Sequence, residues 1–173
     1  MSTHIVFEEV ETFLLEEGYL DDVGKWDSVD VDYHPPRVER LYTKIGSIRI
    51  CLHRIHPCDP EKALLHPHPW PASFKIYKGM YASEVGTSET AEPPKERVRL
   101  LLDAGSMKSM TNPNDWHFVA PIKEPVYSIM INGTPYEEMN PGVEKANKQL
   151  LPLHSYEKEL ILKDFKELIE NCQ

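Results

Sequence analysis

Between Arg40 and Gly133 the chain is cut by glycine and proline into short apolar runs, and this punctuation is the strongest limit on its fold. In Ile48–Ile55, Ile48, Ile50, Leu52 and Arg54 point one way, and Arg49, Cys51, His53 and Ile55 point the other. That is the two-residue period of a strand. The same reading predicts strands at Leu41–Lys44, Ser73–Tyr77, Met80–Val85, Val98–Leu102, Trp116–Val119 and Val126–Ile131. Ile45-Gly46-Ser47, Gly79, Gly86, Gly105 and Asn132-Gly133 mark the breaks. Fifteen prolines point the same way, because proline has no N–H for a helix interior.

Helical spacing appears only outside this region. Val6, Val10, Phe13 and Leu14 predict a helix over Ile5–Glu17, stopped by Gly18. Ser155 is placed to cap a last helix running to about Glu170, with Ile161, Phe165, Leu168 and Ile169 as its buried stripe. Tyr19–Arg37 reads as a polar, irregular arm, and Thr87–Glu96 as a surface loop. The expected architecture is an all-β barrel or sandwich with flanking helices, in one domain over residues 1–173. Residues 1–39 form a helix and arm, 40–135 the core, and 136–173 a C-terminal extension with a helix.

The net charge of −9 argues against a nucleic-acid partner, whose phosphates that field would repel. No apolar run reaches the ~18 residues of a membrane span. The stretch Met1–Glu17 carries glutamates where a signal peptide would be basic. Three cysteines do not make a disulfide framework, so the expected location is a reducing cytoplasm.

Five of the eight histidines lie between residues 53 and 117. His66 and His68 are two apart, so in an extended segment both face one way. Facial metal binding by such a pair needs a third ligand from elsewhere, and His117, in the turn Asn112-Pro-Asn-Asp-Trp-His117, is the natural candidate. Pro67 and Pro69 leave a second reading open, since His66–Pro69 also suits an ordinary exposed loop with no metal. Cys51, His53, His56 and Cys58 form a second soft cluster, but their spacing suits no common zinc site. His4, His34 and His154 have no partners at metal spacing.

Leu65-His66-Pro67-His68-Pro69-Trp70, followed by the Phe74–Tyr77 strand and Gly79, resembles the first motif of the cupin superfamily. Gly105 to Pro121, with its turn and single histidine, resembles the second. Ile50–Ile55 and Tyr127–Gly133 resemble flanking strands of a subgroup of small cupin-like proteins with a His-x-His-Pro-Trp motif. The resemblance covers about residues 40–135 and leaves the terminal helices unexplained. It implies a cupin-type double-stranded β-barrel (a jelly roll) holding one divalent metal on His66, His68 and His117. Iron(II) leads, with zinc, nickel or manganese as alternatives. Two departures matter. Ala72 and Ser73 stand where the family usually supplies a glutamate ligand, which leaves three neutral imidazoles. Asn112 and Asn114 replace the usual proline-x-glycine turn, and asparagine tolerates the left-handed backbone.

The function expected from this resemblance is a mononuclear dioxygenase acting on a small polar or anionic substrate. A non-enzymatic ligand-binding or sensing barrel, and a metal-dependent isomerase or lyase, are the alternatives. Arg54 is the candidate clamp for a substrate carboxylate, provided its face lines the barrel; a one-residue bulge would put His53 there instead. Tyr81 and Tyr127 are candidate proton donors near the metal, and Trp70 and Trp116 candidate pocket walls. Small cupins often pair through strand edges, so a homodimer is expected.

Overall fold

The computed structural model describes residues 3–143 and 150–172, with side chains from Val6 onward. Helix α1 spans Thr3–Glu16. The strands are β1 Asp27–Val31, β2 Val38–Ile45, β3 Ile48–Ile55, β4 His66–Pro67, β5 Ala72–Lys78, β6 Met80–Thr87, β7 Val98–Asp103, β8 Met107–Met110, β9 Asp115–Pro121 and β10 Val126–Asn132. Helix α2 spans Ser155–Glu170. The strands form two antiparallel sheets, one ordered β1-β2-β3-β10-β5-β8 and the other β4-β9-β6-β7.

The six-stranded sheet is the middle layer, and its two faces do different work. Leu41, Ile50, Leu52, Tyr77, Tyr127, Ile129 and Ile131 pack on Phe7, Val10 and Leu14 of α1 and on Ile161, Leu162, Phe165 and Ile169 of α2. The opposite face carries Val38, Ile55, Cys51, Phe74, Met130 and Ile76, and meets the smaller sheet through Tyr81 and Val119. Every residue on one face of a strand is two positions from the next, so the alternation read from the sequence sorts these two sets.

The expected closed barrel is corrected to two facing antiparallel sheets, a β-sandwich with flanking helices. Among the described residues no ladder joins one sheet to the other. At the β4 edge the reason is local: Pro67, Pro69 and Pro71 remove amide donors, and β4 stops after two residues. The arm reading is also corrected. Residues 27–31 pair with β2 as β1, and Asp30 bridges Leu151 on its outer side. Strand β8 was not expected. It pairs with β5 although Met107-Lys-Ser-Met110 carries little apolar pattern.

Three turns show what the residues do locally. Gly79 alone joins β5 to β6 at φ 83°, and a Cβ there would lie 3.0 Å from the Pro125 carbonyl oxygen. The Asn112–Asp115 turn does not use left-handed asparagine, because Lys123 is the only non-glycine with positive φ among the described residues. Instead the Asn112 side-chain oxygen accepts from the Asn114 amide at 3.0 Å, an Asx turn. Helix α2 is capped by His154 rather than by Ser155, its first residue, with Glu157 accepting from the His154 amide at 2.8 Å.

One polar cluster is buried under α1. Lys75 of β5 reaches Glu11 at 2.6 Å, and the Tyr77 hydroxyl donates to the same carboxylate. Burial, then the Glu11 carboxylate, raises the Tyr77 phenol above its usual range. Glu11→Ala leaves a buried ammonium and a buried hydroxyl without their acceptor. It is expected to lower unfolding free energy by about 3–5 kcal/mol in urea titration. Glu11→Leu with Lys75→Met recovers most of that loss, because no charge is then stranded. Equal stability of Glu11→Ala and the parent protein would show that water reaches the cluster.

Candidate metal centre

The edge strand β4 pairs with β9 so that His66 sits opposite His117 and Pro67 opposite Trp116. His68 follows two residues after His66, beyond the strand end. The three rings gather as the alternation requires, with centroid separations of 5.2 Å for His66–His68, 5.0 Å for His66–His117 and 4.8 Å for His68–His117. One ligand nitrogen from each lies within 4.8 Å of the others, and no other such cluster occurs among the described residues.

The protonation of the cluster follows from its surroundings. Burial brings His66 down to about 4, partly opposed by its bond to the Leu64 carbonyl. Burial lowers His68 and His117 well below the ordinary histidine range, and neighbouring positive charges lower them further. All three are therefore neutral near pH 7, the form that ligates metal. His66 Nδ1 lies 3.0 Å from the Leu64 carbonyl oxygen and donates to it, which leaves Nε2 with its lone pair.

Two observations test whether a cation fits. His68 Nε2 and His117 Nε2 are 2.8 Å apart. Two lone pairs repel at that distance, so a proton or a cation must lie between them. His68 Nδ1 is buried with no hydrogen-bond partner among the described residues, whichever of the two lies at Nε2. A divalent ion between the Nε2 atoms removes the need for that shared proton, and three imidazoles suit iron, nickel, copper or zinc.

The cluster lines a cavity of about 250 Å³ between the two sheets. Tyr33, His34, Arg40, His53, Trp70, Tyr81 and Ser128 line it beside a set of aliphatic side chains. No aspartate or glutamate is among the described lining residues. The residues at the place of the family's usual glutamate, Ala72 and Ser73, bring no carboxylate to the cluster. Ser73 Oγ instead meets Ser109 Oγ at 2.9 Å, at the sheet edge.

The other expected site residues divide by face. Tyr81 lines the cavity, is 2% exposed, and has its phenol raised by burial. Its hydroxyl has no hydrogen-bond partner among the described residues. Trp70 also lines the cavity, with a buried Nε1 that has no hydrogen-bond partner among the described residues. Trp116 does not. It turns toward Gly142 and Ser88, whose carbonyl accepts from Nε1 at 3.3 Å.

Arg54 and Tyr127 are corrected in position, since neither lines the cavity. Both lie on the helix face of the middle sheet. Arg54 Nη2 donates to Glu39 Oε1 at 2.8 Å, His56 reaches the same carboxylate at 2.6 Å, and Glu39 is 1% exposed. Burial alone would raise Glu39, but its bonds to Arg54 and His56 outweigh that and lower it. Tyr127 donates to Asp164 of α2 at 2.7 Å. These are structural pairs that tie β2, β3, β10 and α2 together. The second soft cluster does not assemble either, since His53 faces the cavity while His56 serves Glu39.

Sequence reasoning missed two residues near the cluster. Arg40, directly across from His53 in the β2–β3 register, enters the cavity. The alternation of β2 was the available signal. Lys108 of β8 was not legible. Its Nζ lies 2.8 Å from His117 Nδ1 and 3.4 Å from Ser83 Oγ, and burial brings its ammonium down to about 8.

No protein-family model and no curated protein matches the chain. Among solved structures it is similar to the hydroxypropylphosphonic acid epoxidase from S. wedmorenis, with TM-score 0.51 and 13% identity over 63% of this chain and 56% of that one. The Fe(II) form of that enzyme gives TM-score 0.51 and 11% identity, and its Fe(II) complex with (S)-1-HPP gives 0.51 and 12%. Both extend over the same shares of each chain. The chain thus spans little more than half the length of the epoxidase. At this identity the likeness is one of fold, a sandwich of antiparallel sheets, and in this chain three histidines line the cavity between them.

Proposed function

We propose that the chain binds one divalent metal, iron(II) first, through His66, His68 and His117, and acts as a dioxygenase on a small substrate held in the adjoining cavity. The observation that carries this reading is the convergence of three neutral imidazoles, His117 buried and His66 and His68 half-buried, on a cavity with no carboxylate among its described lining residues. The Fe(II) forms of the structurally similar epoxidase support iron over zinc. Bound there, the metal would supply a Lewis acid and redox centre with open positions, because only three protein ligands meet it.

The chain's own residues do the rest. His66 is oriented by the Leu64 carbonyl and presents its Nε2 lone pair. The aliphatic walls and Trp70 keep bulk water from the substrate. Tyr81 offers a neutral phenol as the hydrogen-bond donor to a bound polar group.

Oxygen uptake tests the reading. Protein loaded anaerobically with Fe(II) is expected to consume dioxygen when mixed with one of a panel of small hydroxy, oxo and thiol acids. The Zn(II)-loaded form consumes none. Iron-replete protein that takes up no oxygen with any member, while the zinc form turns a substrate over without net redox change, would overturn the dioxygenase in favour of a Lewis-acid isomerase or lyase.

A further inference from the structure

Arg40 is the one guanidinium among the described cavity-lining residues. Its Nε donates to His53 Nε2 at 2.8 Å. His53 is 4% exposed, and burial followed by the Arg40 charge lowers it well below the ordinary range, so the ring is a neutral acceptor. That bond fixes one edge of the guanidinium and leaves the Nη1 and Nη2 donors unspent. Several other cations have carboxylate partners, whereas Arg49 stacks on the rings of Tyr42 and Trp70 and Lys108 meets His117 and Ser83. Arg37 pairs with Asp30, Arg54 with Glu39, Arg99 with Glu84, Lys75 with Glu11 and Lys166 with Asp21. Arg40 has no carboxylate partner among the described residues. A half-buried charge without a counterion is costly, and a ligand can supply that counterion.

Position singles out the same residue. Arg40, His53 and Ser128 lie in one row across β2, β3 and β10, on the face toward the smaller sheet. The histidine cluster sits across the cavity on β4 and β9. The charge of Arg40 is felt at His66 and His68, where it is one of the groups that lower their basicity.

We infer that Arg40, held by His53, is the recognition group for a small carboxylate, and that the substrate of this cavity is a carboxylic acid small enough to place a second polar group at the three histidines. This deepens the reading above and rests on it for the word substrate. The paired Nη donors match the two oxygens of a carboxylate, and a volume of about 250 Å³ admits only a few carbons beside the histidines. His53 is a positioning residue in this scheme. It acts through the guanidinium and touches no ligand.

The test uses pyruvate and L-lactate against pyruvamide and L-lactamide, read by calorimetry on the full chain in metal-free and Fe(II)-loaded forms. Parent protein is expected to bind each acid at least about tenfold more tightly than its amide in both forms. Arg40→Gln abolishes that preference while keeping its metal content. Arg40→Lys keeps part of it, since the charge remains and the fork is lost; it also serves if the glutamine variant does not fold. His53→Phe weakens the preference without touching the metal. Two results would overturn the inference: an Arg40→Gln variant that still prefers the acids, or inorganic phosphate displacing pyruvate as strongly as lactate does. A protein that binds no metal yet prefers acids would sink the dioxygenase and leave the carboxylate site standing.

Discussion

Protein purified without a polyhistidine tag is expected to carry about one equivalent of a divalent transition metal, and His68→Ala less than a tenth of that. His68 is chosen because it contributes to the centre and little else. It lies beyond a two-residue edge strand, and its neighbours are His66, His117 and Phe74. Its removal leaves two imidazoles. Losing an outer-shell partner of a metal ligand already costs about 10–100-fold in affinity, so losing a ligand costs more. Element analysis reads both quantities, and far-UV circular dichroism checks that the variant is folded. His117→Ala is expected to agree, although it also strands Lys108. Arg54→Gln and Tyr127→Phe should retain full metal, since both residues sit on the helix face. Equal metal in the parent protein and in His68→Ala would end the three-histidine site.

The second large effect is on stability against acid in the metal-free protein. His66 is held at about 4, and His53, His68 and His117 are held low by burial. The unfolded chain has ordinary histidines near 6.5. Between these values the unfolded state takes up protons that the native state refuses. Stability therefore stays at its plateau above about pH 6.5 and falls as the pH drops toward 4. His66 alone contributes about 3 kcal/mol over that window, and the other three add to the same slope. Urea midpoints measured from pH 7.5 to 4.5 read this directly, and His66→Gln should flatten the curve. Bound metal steepens it, because protons must then displace the ion as well. A midpoint independent of pH in this range would mean the rings are solvated and free to charge.

The particular residues show why some features were legible and others not. The Ile48–Ile55 alternation sorted β3 into two faces correctly, because the period of a strand is a property of the backbone. Which face saw the cavity was not in that pattern. Ile50 and Leu52 look like an interior, and they are one: the interior under the helices. Arg54 shares that face and so lies away from the cavity, where Glu39 neutralises it. A register irregularity does occur, between Tyr127 and Ser128 in the pairing of β10 with β5, but it leaves the faces of β3 unchanged. Strands β1 and β8 escaped because pairing, more than composition, makes them strands. Asp27-Ser-Val-Asp-Val31 and Met107-Lys-Ser-Met110 gain order from β2 and β5.

The amino-acid order alone determined the strands between residues 40 and 135 apart from β4 and β8, the two terminal helices, and the three histidines as a candidate group. These depend on short-range properties: side-chain period, missing amide donors, and identical residues two apart. Tertiary structure alone decided that the sheets stay separate, that the helices cover one face of the middle sheet, and that Arg40 rather than Arg54 lines the cavity. The physical reason is that a strand has two equivalent faces until something covers one of them. Phe7, Leu14, Ile161 and Phe165 make that choice from more than thirty residues away from β3, and the cavity with its histidines is what remains on the other side.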